Sequence, residues 1–348
     1  MSTCIRSYSK INLGLAIGPV RSDGFHALTT LYQTLDLHDL VTVSAKRSGK
    51  ASLVITSNDQ RVPQDQRNTA WKMVERALAA LSLQAEVSIH IEKRLPVQGG
   101  MGAGSANAAA ALIGLERELG TALPGPQRLQ LAADVGSDVP LFLIGGSVLG
   151  LGRGEQVFAI PDIPSLFCVI AVPNVGVSTP QAFRDWDALE LTRPAKPDRL
   201  SELSLAYASL YAEPGTSGII HGSNPAGPKK ADTQGGSDQG QSSQEDDLAE
   251  NTLLSLVRTG VENDFEQVVF PAYPSLREIK RQLMGTSGDE SGPALYAALS
   301  GSGSALFGLY RSEADAKAAQ QRVQNAGIRA LFTTTLPRKL YWTRMFAE

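Results

Sequence analysis

A two-domain α+β fold is predicted by three features of this sequence. Its 348 residues are about twice a common domain length. Short β-branched segments alternate with helical periodicities through the N-terminal part. The C-terminal part then returns as a compact strand–turn–strand–helix–strand unit. The 42% hydrophobic and 19% charged composition supports a real core and excludes a wholly disordered chain.

In chain order, SKINL at Ser9–Leu13 reads as an apolar strand that carries Lys10 and Asn12. Leu40–Ala45, Ser52–Thr56 and Val87–Ile91 are short, β-branched and partly alternating, and read as strands. Between the last two, Thr69–Leu81 reads as a helix, because Trp71, Val74, Leu78 and Leu81 recur at three and four and Asn68 suits an N-cap. A second helix starts near Ser105 and stops at Gly120, and a third spans Pro126–Val135. PDIP interrupts the pattern, so a domain boundary is expected near residues 155–165, giving domains 1–160 and 161–348. Farther on, Ala294–Leu299 and Ala305–Tyr310 read as strands flanking SGSGS. Ser312 caps a helix ending at Gly327, and Ile328–Thr334 closes the unit as a strand. Glu213–Asp247 is different: Pro, Gly, Ser and Gln make up 19 of its 35 residues, and it reads as a disordered insertion in a surface loop.

Composition also narrows function. A net charge of −3 gives no basic excess for a nucleic-acid backbone or an anionic membrane. Cys4 and Cys168 are too few for a disulfide framework or a Cys-rich zinc site, and four His without HExxH give no metal cluster. No signal-peptide core and no run near 18 apolar residues are found, so a soluble, cytoplasmic protein is expected.

The densest chemical feature is PVQGGMGAGSAN at Pro96–Asn107, which follows a strand and opens a helix. Its four glycines let backbone approach a ligand and aim several N–H groups at one point. The helix N-terminus adds its positive dipole end, so the segment reads as a phosphate cradle. It is neither a Walker A loop nor a Rossmann fingerprint. Asp138 in GSDVP reads either as a helix-terminating cap or as a buried carboxylate in need of a partner. SGSGS reads as a tight hairpin or a second phosphate contact.

PVQGGMGAGSANAAAAL resembles the phosphate-binding loop of the galactokinase, homoserine kinase, mevalonate kinase and phosphomevalonate kinase superfamily. SKINLGLAIGPVRSDGFH, RNTAWKMVERAL, GSDVPLFLIGG, PNVGVSTPQAF, ENDFE and LSGSGSALF resemble further blocks in the same order, and the N-terminal block is similar to the branch acting on 4-diphosphocytidyl-2-C-methyl-D-erythritol. The resemblance covers both domains except the insertion. It implies a mixed α/β N-terminal domain with the glycine loop and a ferredoxin-like C-terminal domain. It implies ATP as co-substrate with Mg²⁺, and phosphorylation of the acceptor's tertiary 2-hydroxyl. It places Lys10 and Asp138 as the catalytic pair. Asn68 and the loop residues Pro96, Val97, Gln98, Gly99, Gly100, Met101, Gly102, Ala103, Gly104, Ser105, Ala106 and Asn107 would hold ATP. Phe25 would stack on the cytosine, His26 would read its edge, Tyr32 and Phe183 would add aromatics around it, and Asn12 would lie near the methylerythritol hydroxyls. Phe25 stands where Tyr is usual, and Ala106 where a second Ser is common, which removes one oxygen near the phosphates; no metal ligand is assigned. The alternatives are another small-molecule kinase of the superfamily, which would not need the SDGFH pair, or a catalytically dead relative, against which Lys10 and Asp138 argue.

Overall fold

A computed structural model describes residues 2–97, 99–163, 165–191, 262–285 and 292–347. The insertion expected at 213–247 and the loop residue Gln98 lie outside the described residues.

The chain opens with two long antiparallel strands, β1 (Thr3–Val20) and β2 (His26–Arg47), whose register shifts at Tyr8/Ser9, Asn12/Gly14 and Ile17/Val20. β2 also pairs with β4 (Ala85–Glu92), which in turn takes β3 (Ser52–Ser57) in parallel. The parallel pair requires a crossover, which α1 (Thr69–Ala80) supplies. Asn68 caps that helix by accepting from the Ala70 N–H. β4 alternates as its sequence predicts, with Ala85, Val87, Ile89 and Ile91 buried. β5 (Ser147–Leu151) joins the other half of β2 and pairs with β6 (Gln156–Ala159).

α2 (Ala103–Leu119) lies against this sheet with buried residues on almost every side. Its Ala run and Gly114 permit that approach, since a Cβ at Gly114 would stand 2.7 Å from Val43 Cγ2. α1, α2 and α3 (Gly125–Val135) share one core with the sheet.

The second sheet holds β7 (Phe167–Val172), β8 (Tyr296–Leu299), β9 (Leu306–Tyr310) and β10 (Arg329–Thr334). Its order, β10-β7-β9-β8, is that of a ferredoxin-like sheet. β7 is apolar at successive positions because both faces are covered. Cys168 and Ile170 join a cluster with Ile11, Leu31, Leu35 and Met101, so the two sheets share one core. Val169 and Ala171 face the helices α4 (Thr179–Glu190), α5 (Glu266–Ala272), α6 (Pro274–Met284) and α7 (Glu313–Asn325). After β10, α8 (Arg338–Thr343) leads to β11 (Phe346–Ala347), which pairs with β1 in the first sheet. Among the described residues no helix is long and apolar enough to cross a membrane.

Candidate active site

A cavity of about 510 Å³ opens beside the β1–β2 pair and is lined by residues of the first sheet, of the β8–β9 turn and of α4. Its inner end is built from residues paired across the ladder. Asn12 stands opposite Tyr32, and Lys10 opposite Thr34, so β1 and β2 deliver Lys10, Asn12, Thr30 and Tyr32 to one wall. Asp138 arrives from the turn after α3, where the Val139 N–H donates to Gly136 O.

Lys10 Nζ lies 3.3 Å from Asp138 Oδ2 and donates to Asn12 Oδ1 at 2.6 Å. Asn12 Nδ2 donates to Thr30 Oγ1, whose hydroxyl donates to Gly14 O. Lys10 is buried, while the Asp138 side chain keeps 32% exposure toward the cavity. A buried ammonium without a partner would be costly, and this relay satisfies it. Tyr32 donates to Asp138 Oδ1 at 3.0 Å, and the ammonium stands 5.5 Å from its ring centre. Burial and the adjacent carboxylate push the Tyr32 hydroxyl well above its ordinary pKa, so it stays a donor.

The glycine loop forms the next wall. The Lys10 backbone N–H donates to Met101 O, and from the turn between β8 and β9 Ser300 Oγ donates to Gly100 O. Gly102 caps α2 with φ +70, and a Cβ there would meet Phe142 at 2.9 Å and Lys10 Cγ at 3.2 Å. Met101, Ala103 and Ala106 turn their side chains into the core, which leaves Gly99, Gly100, Gly102, Gly104 and Ser105 toward the surface. On the loop's far side a smaller cavity of about 150 Å³ is lined by Asn68, Thr69, Lys93, Val97, Gly104 and Asn107, among others. The loop therefore contributes to both cavities. Two of the residues expected around ATP are engaged in packing: Asn68 caps α1, and Asn107 Oδ1 accepts from Ser7.

The outer end of the large cavity carries the aromatic groups. The turn before β2 is closed by Gly24 N–H to Arg21 O, and Phe25 leaves the ladder there while His26 enters it. Neighbours in a regular strand would face opposite ways, yet this turn lets both line the cavity. Phe25 is exposed, with the Arg153 guanidinium 4.9 Å from its ring centre. His26 is stacked on Phe183 at 4.9 Å with the rings 6° from parallel. Its Nδ1 lies 2.9 Å from Gly18 O and its Nε2 lies 3.1 Å from Asp187 Oδ1. Both ring nitrogens thus already face protein oxygens, and reading a base edge requires Nε2 to exchange Asp187 for the base.

Most of the residues singled out from sequence meet in this region, with two shifts of emphasis. Tyr32, expected beside a base, touches Asp138 at the opposite end through its hydroxyl. Asn12, expected at the acceptor hydroxyls, spends both ends of its amide on Lys10 and Thr30. Thr30, Arg153, Arg184 and Asp187 also line the cavity and were missed. Thr30 had a signal, being two residues before Tyr32 on one strand face. Asp187 had one as well, being four residues after Phe183 on a helix.

Both halves of the chain resemble known domains. The GHMP kinases N terminal domain matches residues 68–146, and the GHMP kinases C terminal domain matches residues 246–329. The chain is 33% identical over 356 residues to 4-diphosphocytidyl-2-C-methyl-D-erythritol kinase of Solibacter usitatus (strain Ellin6076), covering 99% of this chain and 93% of that relative. It is 30% identical over 331 residues to the enzyme of the same name from Moorella thermoacetica (strain ATCC 39073 / JCM 9320), covering 95% and 98%. A crystal structure of 4-(cytidine 5'-diphospho)-2C-methyl-D-erythritol kinase superposes with a TM-score of 0.64 at 25% identity, covering 96% of this chain and 99% of that one. With full-length likeness of this kind added to both domain matches, the chain belongs to the GHMP kinases, and within them to the 4-diphosphocytidyl-2-C-methyl-D-erythritol kinase family.

Proposed function

We propose that this chain transfers the γ-phosphate of ATP to the tertiary 2-hydroxyl of 4-diphosphocytidyl-2-C-methyl-D-erythritol. The observation that carries the reading is the Lys10–Asp138 pair, set in one cavity with Phe25 and His26 and walled by Gly100 of the phosphate loop. A nucleotide held along that loop and an acceptor in the larger cavity would meet beside Gly100 and Asp138.

Phosphoryl transfer needs alignment and charge stabilisation more than covalent chemistry. Asp138, open to the cavity, accepts the proton of the acceptor hydroxyl and orients its oxygen. Lys10 stabilises the carboxylate and the charge that develops on the transferred group. Tyr32 holds the other carboxylate oxygen, so Asp138 presents one orientation. The backbone N–H groups of the loop and the α2 N-terminus receive the phosphates. At the outer end Phe25 and Phe183 supply apolar faces for the cytosine and His26 its edge contact.

Mg²⁺ fits this donor set. Among the described residues no three His, Cys, Asp or Glu side chains cluster for a metal. Mg²⁺ is usually held by one or two carboxylates together with substrate phosphates. Asp138 is the carboxylate at the inner end of the large cavity, and an ion held beside it by the phosphates would neutralise their charge.

A coupled kinase assay tests the reading. The cytidyl acceptor should be turned over, while mevalonate, homoserine and galactose should not. Turnover of one of those three with the cytidyl acceptor inert would overturn the assignment.

A further inference from the structure

Asp187 faces the large cavity from α4, one helical turn beyond Phe183. Its Oδ1 lies 3.1 Å from His26 Nε2, and half of its side chain remains exposed. On the other side of the ring, His26 Nδ1 lies 2.9 Å from a backbone carbonyl, which can only accept, so Nδ1 carries a proton and donates. The parallel Phe183 ring fixes the plane of the imidazole. Facing a carboxylate, Nε2 donates as well when the ring carries its second proton. The cavity wall therefore presents an N–H donor directly beside a carboxylate acceptor.

That order of groups has a pyrimidine complement. Cytosine carries an amine donor next to a ring nitrogen that accepts. Uracil carries a carbonyl acceptor next to a ring N–H that donates. A donor–carboxylate pair matches the first and opposes the second at both positions.

Resting on the acceptor reading above, the geometry points to Asp187 as the residue that selects cytosine over uracil. It accepts from the exocyclic amine while His26 Nε2–H donates to the adjacent ring nitrogen. Without a base, Asp187 accepts from His26 instead. When the base enters, the carboxylate keeps its role as acceptor and changes partner. A carboxylate suits this task better than an amide, because it has no N–H to offer to uracil's carbonyl.

Asp187→Asn tests the assignment on the full chain. An amide can turn either its oxygen or its NH₂ toward the base, so its position no longer opposes uracil's carbonyl, while His26 still opposes the ring N–H. Binding of cytidine 5'-diphosphate and uridine 5'-diphosphate is measured by calorimetry, and kcat/KM is measured with the cytidyl and uridyl forms of the acceptor. The parent should prefer cytosine, and Asp187→Asn should shrink that preference by about 5- to 150-fold, the range expected of one base-edge contact. The change should lie in KM for the acceptor, with KM for ATP and the melting temperature unmoved. Asp187→Glu, which is still acceptor-only, should retain a preference. If Asp187→Asn keeps the parent's ratio while the parent discriminates, the assignment of Asp187 is overturned and the acceptor reading stands. A parent that does not distinguish the two bases would overturn the assignment alone, and a cytidyl acceptor that is not turned over would overturn the reading beneath it.

Discussion

Asp138 is held from two sides by groups that differ in kind. Lys10 brings a positive charge to one oxygen and Tyr32 brings a neutral donor to the other. Replacing the carboxylate by an amide removes the proton acceptor and leaves the shape, so Asp138→Asn should fold, bind ATP as the parent does and lose about 10² or more in kcat. Steady-state kinetics beside a nucleotide titration checks this, and a loss of only a few-fold would remove Asp138 from the chemistry. Tyr32→Phe deletes one hydrogen bond to a charged group and leaves the ring, with its packing against Lys10, in place. Such a bond is worth about 1.5–3 kcal/mol, so kcat should fall roughly tenfold or more with both KM values steady. The same change made in Asp138→Asn should cost far less, because the group through which Tyr32 acts is already lost.

At the scale of single elements, α2 and its loop set the tightest tolerances. A side chain at Gly102 must enter space held by Phe142 and Lys10 Cγ, from a backbone conformation that few residues adopt. Gly102→Val should therefore raise KM for ATP and also lower kcat by displacing Lys10. An effect on ATP binding alone would show that the ring and the lysine stem yield. Gly114→Val drives a branched side chain into Val43 and Ile5 far from either cavity. Overpacking of this sort costs about 1–3 kcal/mol, seen as a lower melting temperature with unchanged KM values.

These elements also mark how far the sequence could be read. Helix α1 with its Asn68 cap, the Gly120 stop of α2 and the Ser312 cap of α7 follow from local chemistry alone, and the structure forms them. Strand β2 was legible only in its alternating half around Leu40–Ala45. From Thr29 to Leu35 it is buried at every position, because Leu31 and Leu35 enter the shared cluster on one face while Thr30, Tyr32 and Thr34 hydrogen-bond to Asn12, Asp138 and Leu336 on the other, so no period of two survives. Within the site, the glycine loop announces itself by composition. Lys10 does not, since a lysine in a strand ordinarily faces water, and here it is almost wholly buried among partners brought in from Asn12 and Asp138. The His26–Asp187 contact joins residues 161 positions apart, and only the folded chain reveals it.

For the molecule as a whole, the decisive packing is the cluster that Ile11, Leu31 and Met101 share with Cys168, Ile170 and Phe307. The residues that carry Lys10 and the phosphate loop rest on the second sheet. Phe307→Ala should then cost about 3–5 kcal/mol, and its unfolding should take activity, far-UV dichroism and tryptophan fluorescence down together. Separate transitions in those probes would mean that the sheets unfold independently.

The pairing of β1 with β11 bears on how the chain is made. Ile5 pairs with Phe346, and Tyr8 donates to the carbonyl of Arg344, 336 positions away. Tyr341 passes beneath the same corner and donates to Phe142 O, close behind Gly102. On the ribosome, the edge of β1 at Cys4–Arg6 stays open until residues 345–347 have followed. An unpaired edge is a template for unwanted strand addition, so this corner of the nascent first sheet is exposed to it throughout elongation. Slow translation late in the message lengthens that exposure.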